Sequence, residues 1–484
     1  MTLRSIPACV VRKILTKVLL TPIKTLLTRG PAGLCRTALA PGGGPGNIAD
    51  FALDAPEENL YRPAPVGRFG NILQTPNPMK GNFNYQTAET ENRNIPLLDL
   101  KRQYETIKDE IAEALKRVCD SGAFVLGPEV KALEQSLARY SQTEYAVACA
   151  SGSDALLLAL MAVGIGPGDE VLVPSFTFFA TASAVSRLGA TPVFVDIDPE
   201  SYNINPVDVA RKITARTKAV IPVHLFGQMA EMNCINALAH IHHLMVIEDA
   251  AQAIGAELEG RRAGSWGDIG AFSFYPTKNL GGAGDGGLVT TREEQLAQRL
   301  NLLHVHGMEP RYYHRIVGIN SRLDSLQAAI INVKLKYLDA WTTMRIQNAQ
   351  RYGELFAEAG LHRVLGLPKS LPNRRHVWNQ YTVRVPKGLR DDLRKSLTER
   401  KIGTEIYYPV GLHEQECFRH LGYSAESLPE TQKACQEVLA LPIFPELTER
   451  EQRIVVQGIK TYFEANPMRR SVPAVVLEKQ REAA

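Results

Sequence analysis

Short apolar runs alternate with amphipathic segments through the middle of the chain. Strands that are apolar on both sides and separated by helices are typical of a mostly parallel sheet that is covered on both faces. The pattern therefore predicts an α/β fold, in which ligands bind beyond the carboxyl ends of the strands. The apolar runs lie at 146–150, 170–173, 191–195, 218–223 and 244–249.

The pattern changes after about residue 330. A long helical segment begins near Ser321, and residues 375–465 then alternate strand and helix in a smaller unit. We predict strands at 379–385 and 404–408 and a last helix at 449–465. The sequence thus predicts a large domain at 96–330 and a small α/β C-terminal domain at 331–466. A tail at 467–484 follows these domains.

Residues 1–95 do not resemble the body of the chain. Residues 41–95 are rich in Pro, Gly and Asn without periodicity, which predicts disorder. Residues 8–28 are apolar but carry several basic residues, so they are too interrupted for a membrane-spanning helix and no stable membrane insertion is expected. A basic amphipathic helix, a transit peptide and translated upstream sequence are the alternatives for this segment.

Charge and cysteine content indicate which partners and which cellular compartment the protein has. Residues 1–49 hold seven Lys/Arg and no acidic residue, whereas the rest holds 48 Lys/Arg against 51 Asp/Glu. A slightly acidic body argues against a nucleic-acid partner. The seven cysteines are scattered and odd in number, and no pair has metal-ligand spacing. We therefore expect reduced thiols, a cytoplasmic location and no metal site.

Lys278 lies in a glycine-rich loop between two apolar strand segments. The first strand ends near Tyr275, Pro276 stops it, and the second strand runs from Leu288 to Thr291. Glycines allow close approach of the backbone to a ligand. Burial would lower the lysine pKa and free the amine, which makes Lys278 a candidate Schiff-base nucleophile. An ordinary surface lysine in a hairpin is the alternative interpretation.

Four other positions carry candidate chemistry. Asp249 ends an apolar strand, and its carboxylate is either half of an ion pair or the partner of a cofactor ring nitrogen. The segment Ser151–Ser153 joins a strand to a helix, where it forms an anion site or where Ser153 caps the helix. Ser273 is polar in an apolar strand and needs a hydrogen-bond partner. Phe178 is either a face for a planar ring or a core residue.

These features together describe one cofactor. A phosphate site, an aromatic face, a carboxylate and a lysine are the groups that pyridoxal 5′-phosphate requires, because its ring takes up electrons while the lysine holds its aldehyde carbon. No other common cofactor requires the same set. The sequence therefore predicts a pyridoxal phosphate enzyme.

Five ordered motifs resemble the DegT/DnrJ/EryC1/StrS family of sugar aminotransferases, from about Ile95 to Ala465. The resemblance implies the aspartate aminotransferase-like fold (type I), with a seven-stranded sheet in the large domain. It also implies a homodimer with two active sites at the interface. The motifs are SGSDAL (151–156), GPGDEVLVPSFTFFATA (166–182), VIEDAAQAIGA (246–256), SFYPTKNLGGAGDGG (273–287) and GINSRLDSLQAA (318–329).

The resemblance also implies a role for each matching residue. Lys278 would form the Schiff base and shuttle a proton, and Asp249 would pair with the pyridine nitrogen. Gln252 would bond the ring hydroxyl, and Phe178 would stack on the ring. The other roles are phosphate binding by Gly152, Ser153 and Ser273, contact with the neighbouring subunit's phosphate by Asn320, and substrate contacts by Arg322, Tyr408 and His413.

The implied reaction moves an amino group from glutamate to a nucleotide-linked keto-hexose for amino-sugar and polysaccharide biosynthesis. The block at 306–329 resembles members that aminate C3 of UDP-linked hexuluronates or dTDP-linked 3-keto-6-deoxyhexoses, and this resemblance favours C3 over C4. Some relatives carry histidine instead of lysine and act as dehydratases, which Lys278 argues against. A non-catalytic regulator on the same fold and a pyridoxal phosphate enzyme acting on a free amino acid are the alternatives.

Overall fold

A computed structural model of the chain describes residues 94–465. The predictions for residues 1–93 and 466–484 lie outside the described residues. The division of the body into domains near residue 330 stays a prediction. No helix within residues 94–465 combines the length and the apolar character that crossing a bilayer requires.

Helices and strands are numbered in chain order. The helices are α1 Leu100–Glu105, α2 Lys108–Ser121, α3 Pro128–Tyr140, α4 Gly152–Ala162, α5 Ala180–Arg187, α6 Pro206–Lys212, α7 Met232–His242, α8 Glu294–Leu303, α9 Ser325–Leu335, α10 Leu338–Glu358, α11 Arg390–Glu399, α12 Pro429–Glu437 and α13 Glu449–Ala465. The strands are β1 Tyr145–Cys149, β2 Glu170–Pro174, β3 Thr191–Val195, β4 Thr217–Val220, β5 Met245–Asp249, β6 Glu257–Leu258, β7 Arg261–Arg262, β8 Ile269–Ser273, β9 Gly287–Thr291, β10 Arg374–Arg375, β11 Tyr381–Arg384 and β12 Val438–Leu441. Short 3-10 turns lie at Leu225–Gly227, Leu361–Arg363, Leu412–Glu414, Glu416–Leu421 and Ala425–Ser427.

A seven-stranded sheet in the order β1-β9-β8-β5-β4-β2-β3 forms the centre of the fold. The pairs β2–β3, β2–β4, β4–β5 and β5–β8 are parallel, whereas β9 runs antiparallel to both β1 and β8. The predicted mostly parallel sheet is confirmed. The carboxyl ends of β2, β4, β5 and β8 lie at the same edge, which brings the residues after them together.

Both faces of this sheet are buried. On β2, Leu172 packs into one hydrophobic cluster, while its neighbours Val171 and Val173 pack into the cluster on the other face. Successive side chains of a strand point to opposite faces, so an apolar residue at every position is what such a strand requires. The continuous apolar runs in the sequence have this cause.

The packing of helix α4 fixes its N-terminus, which contains Gly152 and Ser153, beside the sheet. Seven of its eleven residues are buried, and it packs against β8 and β9 as well as α5 and α8. A helix that is apolar around most of its circumference is held on several sides. Its N-terminus is therefore fixed next to the connection between β8 and β9, which carries Lys278.

The C-terminal part packs around a second core. Strands β11 and β12 pair antiparallel, and Tyr352, Phe356, Tyr381 and Phe444 lie in the hydrophobic cluster beside them. These four aromatic side chains are all below 2% exposed. The helices α10 and α13 contact each other in this region.

Two local predictions were wrong in this region. The predicted strand at 404–408 is absent from the described structure, where Glu405 makes only an isolated bridge to Ala440. The long helix predicted from Ser321 is two helices, α9 and α10, separated at Lys336 and Tyr337. Helical periodicity continues across both helices, so the sequence pattern does not show the break.

Candidate active site

Asp249 lies at the carboxyl end of β5 with 5% of its surface exposed. Its Oδ2 accepts a hydrogen bond from Thr181 Oγ1 at 2.8 Å, and its Oδ1 accepts one from the Ala251 N–H at 3.3 Å. Burial raises the pKa of this carboxyl group, while the two hydrogen bonds and the positive charge of Lys278 oppose the rise. Within the described residues the carboxylate is held by these donors and not by a direct ion pair with the lysine.

The residue before it, Glu248, anchors the same strand on the opposite face. Glu248 and His224 are both 0% exposed. Because the Ala230 N–H donates to His224 Nδ1 at 3.2 Å, that nitrogen is an acceptor and the ring proton lies on Nε2. Four donors surround the Glu248 carboxylate, namely His224 Nε2 at 2.8 Å and the N–H groups of Gly264 at 2.9 Å, Trp266 at 2.7 Å and Gly267 at 2.7 Å.

Lys278 lies on the connection between β8 and β9. Its backbone N–H donates to the Tyr275 carbonyl at 2.8 Å, and its side chain is half-buried. Burial lowers the pKa of the Lys278 amine to about 8, although the negative charge of Asp249 acts in the other direction. The lysine is thus not the ordinary surface residue of the alternative interpretation, and a substantial fraction of its amine is uncharged near neutral pH.

The glycine loop beyond Lys278 is held by α9. The Ala283 N–H donates to Gln327 Oε1 at 2.8 Å, and Gly282 and Gly284 pack closely against the same Gln327 side chain. Lys334, only 9% exposed, donates from its Nζ to the Gly281 carbonyl at 2.7 Å. These contacts fix the loop that presents Lys278.

The N-terminus of α4 is capped by Ser151 and not by Ser153. The Ser151 hydroxyl accepts a hydrogen bond from the Asp154 N–H at 3.1 Å, whereas the Ser153 side chain is exposed. The alternative interpretation, in which Ser153 caps the helix, is therefore wrong. Ser153 is left facing outward at a helix N-terminus, where a phosphate is stabilised by the helix dipole.

Gly152 and Ser273 are in close contact at this helix terminus. A Cβ at Gly152 would lie 2.6 Å from Ser273 Cβ, a distance at which atoms overlap. The Ser273 hydroxyl accepts a hydrogen bond from the Tyr275 N–H at 3.3 Å, which supplies the expected partner. The structure thus brings together the three residues predicted to bind phosphate.

Aromatic residues form a wall beyond the carboxyl end of β2. Phe178 is 58% exposed, and its ring lies 6.4 Å from that of Tyr408. Gln252 donates from its Nε2 to the Tyr408 hydroxyl at 3.3 Å and accepts from the Phe226 N–H at 2.7 Å. Phe178 is therefore not a core residue, and one face of its ring is available to a planar ligand.

The three remaining predicted residues occupy different environments. His413 is 2% exposed, with Nδ1 2.7 Å from Ser175 Oγ, so it lies behind the surface and not on it. Asn320 is exposed and Arg322 is half-buried. Between them, Ser321 donates to Asp154 Oδ2 at 2.7 Å, which ties this segment to the start of α4. Contacts of Asn320 or Arg322 with a neighbouring subunit stay a prediction.

Sequence reasoning missed Thr181, Glu248 and His224. Thr181 is 0% exposed although threonine is polar, and it lies three residues after Phe178 in the motif that was already singled out. A polar residue among the apolar positions of a short helix was the available signal. The Glu248–His224 pair joins residues 24 positions apart, and no local pattern reports such a contact.

The chain is similar to three well-covered relatives. A pleiotropic regulatory protein of Geobacillus stearothermophilus is 50% identical over 76% of this chain and 99% of its own. A UDP-N-acetyl-3-dehydro-α-D-glucosamine 3-aminotransferase of Acidithiobacillus ferrooxidans is 44% identical over 75% of this chain and 96% of its own. A dTDP-3-amino-3,4,6-trideoxy-α-D-glucose transaminase of Streptomyces venezuelae is 43% identical over 78% of this chain and 98% of its own.

Solved structures agree with these relatives. The crystal structure of S. venezuelae DesV with a ketimine intermediate matches with a TM-score of 0.74 at 42% identity, over 77% of this chain and 99% of that chain. A solved relative from Bacillus subtilis was determined with bound pyridoxamine phosphate. Pyridoxal phosphate is accordingly the cofactor of this chain.

The described residues fit this cofactor. A phosphate group needs donors at a helix N-terminus, which α4 supplies beside the close contact of Gly152 and Ser273. A covalent bond to an aldehyde needs an uncharged amine, which the lowered pKa of Lys278 provides. A protonated ring nitrogen needs a fixed carboxylate, which Asp249 provides.

Sequence similarity to the family extends over most of the chain. Residues 105–460 match the profile of the DegT/DnrJ/EryC1/StrS aminotransferase family, a range that includes every candidate site residue discussed above. The fold agrees with that of the aminotransferase structures. The chain belongs to the DegT/DnrJ/EryC1/StrS aminotransferase family.

Proposed function

We propose that this chain transfers an amino group from glutamate to C3 of a nucleotide-linked 3-keto-hexose that carries UDP or dTDP. The observation that supports C3 is the agreement between two relatives, 44% and 43% identical, whose names both place the amino group at position 3. Their nucleotides differ, so UDP and dTDP both stay within the proposal. Glutamate as the donor follows from the family resemblance.

Bound pyridoxal phosphate supplies a ring that takes up electrons from the substrate carbon. The buried carboxylate of Asp249, which Thr181 and Ala251 hold, would keep a proton at the ring nitrogen. The exposed Phe178 would stack on one face of the ring. Gln252, whose amide is oriented by Phe226 and Tyr408, would bond the ring hydroxyl.

Lys278 carries out the proton transfers. An amine with a pKa of about 8 both accepts and donates a proton near neutral pH, which is the property that a general acid–base group needs. With the cofactor bound, the Lys278 amine would hold the proton that moves between the substrate carbon and the cofactor. The contacts of α9 with that loop keep the Lys278 amine in place between transfers.

We also infer a homodimer in the cytoplasm. The segment before Asn320 exposes large side chains, with Tyr312 at 74% and Val317 at 90%, and such apolar surface favours contact with a second subunit. No disulfide joins the cysteines within residues 94–465, which fits a reducing compartment. Measurement of molar mass by light scattering tests the dimer.

The capture of pyridoxal phosphate by the apoprotein is expected to accelerate with pH. Only the uncharged amine attacks the aldehyde, and a pKa of about 8 makes about one tenth of Lys278 uncharged at pH 7 and about nine tenths at pH 9. The rate should therefore rise about tenfold between these values and level off above pH 9. Stopped-flow absorbance of the visible band measures it. A rate that continues to rise tenfold per pH unit beyond pH 9 would contradict the lowered pKa.

The first experiment on function is a visible spectrum of the purified protein before and after glutamate. The proposal expects a yellow band that glutamate bleaches and that a UDP- or dTDP-linked 3-keto sugar restores, whereas the 4-keto isomers restore it at least about tenfold more slowly. If only the 4-keto sugars restore the band, the proposed amination at C3 is wrong. A band that responds to neither glutamate nor sugars would overturn the donor and the substrate class.

A regulatory role is the second candidate, because the 50% identical relative is named a regulatory protein. The same spectrum separates the two functions. A chain that regulates without catalysis gives no band after addition of pyridoxal phosphate, or a band that no amino donor changes. Product analysis with free amino acids separates the third possibility, an enzyme that acts on amino acids.

A further inference from the structure

The segment from Thr177 to Thr181 lies between β2 and α5 and carries two buried hydroxyl groups. Thr177 is 2% exposed and Thr181 is 0% exposed. Their Oγ1 atoms are 3.2 Å apart, and Thr181 Oγ1 is 2.8 Å from Asp249 Oδ2. Phe178, 58% exposed, lies between the two threonines in sequence. One five-residue segment thus supplies both an aromatic ring and a line of hydroxyls that ends on Asp249.

The Asp249 carboxylate at the end of the chain of hydrogen bonds determines which hydroxyl group donates and which accepts. An ionised carboxylate only accepts, so the Thr181 hydroxyl must donate its single proton to Asp249. The Thr181 oxygen is then the acceptor for the Thr177 hydroxyl. Hydrogen bonds that run in one direction polarise each other, and the bond to the carboxylate is strengthened by the negative charge.

Asp249 needs this donor because its carboxylate is buried, and the Ala251 N–H is its one other hydrogen-bond donor among residues 94–465. Burial raises the pKa of the carboxyl group, and the hydrogen bond from Thr181 is the largest of the influences that lower it. The other groups that face Asp249 are Lys278 from the β8–β9 connection, His224 from the segment after β4, and Tyr408 from the C-terminal part. The positive charge of Lys278 favours the charged carboxylate, and the Ala251 N–H completes the set of donors at 3.3 Å.

We propose that Thr181 is a positioning residue that keeps Asp249 ionised and fixed in one rotamer, with Thr177 as the outer member of the same line. The proposal rests on the function proposed above, in which Asp249 holds the proton of the cofactor ring nitrogen. Thr181 acts only through Asp249. Its loss should therefore change the protonation of the carboxylate first and turnover as a consequence.

The variant Thr181→Val tests the proposal, because valine has nearly the same shape and lacks the hydroxyl. In the apoprotein, infrared difference spectra assigned with Asp249→Asn should show the Asp249 pKa raised by about one unit or more. In the loaded protein, the pH midpoint of the visible band should rise, since a more basic carboxylate takes a larger share of the proton and leaves less positive charge at the ring nitrogen. Turnover with glutamate should fall about tenfold or more.

Two further variants keep the test decisive. Thr181→Ser retains the hydroxyl and should restore the pKa, the pH midpoint and turnover to within about threefold of the parent protein. Thr177→Val removes only the outer donor and should shift both titrations in the same direction by a smaller amount. If Thr181→Val does not fold, the two titrations of Thr177→Val test the proposal in its place.

Thr342→Val is the matched control. Thr342 lies in α10, is 0% exposed, and has a hydroxyl with no hydrogen-bond partner among residues 94–465. Its replacement should leave both titrations unchanged.

Titrations of Thr181→Val that superimpose on those of the parent would overturn the role of Thr181. A serine variant that behaves like the valine variant would do the same, because packing and not the hydroxyl would then matter. Failure of the parent protein to bind pyridoxal phosphate would instead overturn the proposed function, while the apoprotein infrared measurement would still decide the role of Thr181.

Discussion

Replacing Lys278 by alanine is expected to reduce transamination by at least about 10⁴-fold. The variant loses the amine that bonds the cofactor and moves the proton, and acid–base catalysis alone accounts for about 10²–10⁴-fold. The glycine loop should keep its shape, because Gln327 and Lys334 hold it independently of the Lys278 side chain. Turnover of glutamate and a keto sugar, measured by product formation, is the readout.

Lys395→Ala is a suitable control for this experiment. Lys395 is exposed on α11, and its removal tests the loss of a lysine without contact to the site. The control should retain activity, and both variants should show the circular dichroism of the parent. Activity of the Lys278 variant above about 1% of the parent would contradict the assigned role.

Replacing Asp249 by asparagine is expected to lower turnover by about 10³-fold. Asparagine has almost the same shape but carries no charge, so the ring-nitrogen proton loses its buried partner, and breaking such a pair costs about 3–5 kcal/mol. The steady-state rate with glutamate measures the effect. Cofactor capture should survive in this variant, because the Lys278 amine is still present.

The pH dependence of pyridoxal phosphate binding by Asp249→Asn provides a second test of the role of Asp249. The negative charge of Asp249 raises the pKa of Lys278, so its removal should lower that pKa below about 8. Capture of pyridoxal phosphate should then reach its plateau at a lower pH than in the parent. Asp268→Asn is the control, since Asp268 bonds the opposite end of β5 through the Val246 N–H at 2.7 Å. A normal turnover rate in Asp249→Asn would contradict the assigned role.

Much of the candidate site was predictable from the sequence, because its residues lie at the ends of strands and helices, which the apolar pattern shows. Asp249 ends an apolar strand, and Lys278 follows one across a proline, so the pattern of strands alone placed both at one edge of the sheet. The shift in cap from Ser153 to Ser151 was not predictable, since both serines have the residue type and spacing that caps require. The roles of the site residues stay predictions until they are tested.

Contacts between distant segments were not predictable from one sequence. The pairing of β11 with β12 joins residues about 60 positions apart, and β12 was missed although it is completely buried. The run at 404–408 has suitable β-formers but lies where only Glu405 bonds to Ala440. Strand formation there depends on a partner, and the sequence of the segment does not contain that information.

The neighbouring side chains of Glu248 and Asp249 point to opposite faces of β5. Glu248 holds the strand in place, and Asp249 faces the candidate active site. Four hydrogen bonds hold the Glu248 carboxylate, so the β5 backbone that carries Asp249 is fixed from the opposite face of the sheet. The dipoles around the reacting groups are then oriented during folding and need little reorganisation during each turnover. Changes at Glu248 should therefore reduce activity toward every sugar alike.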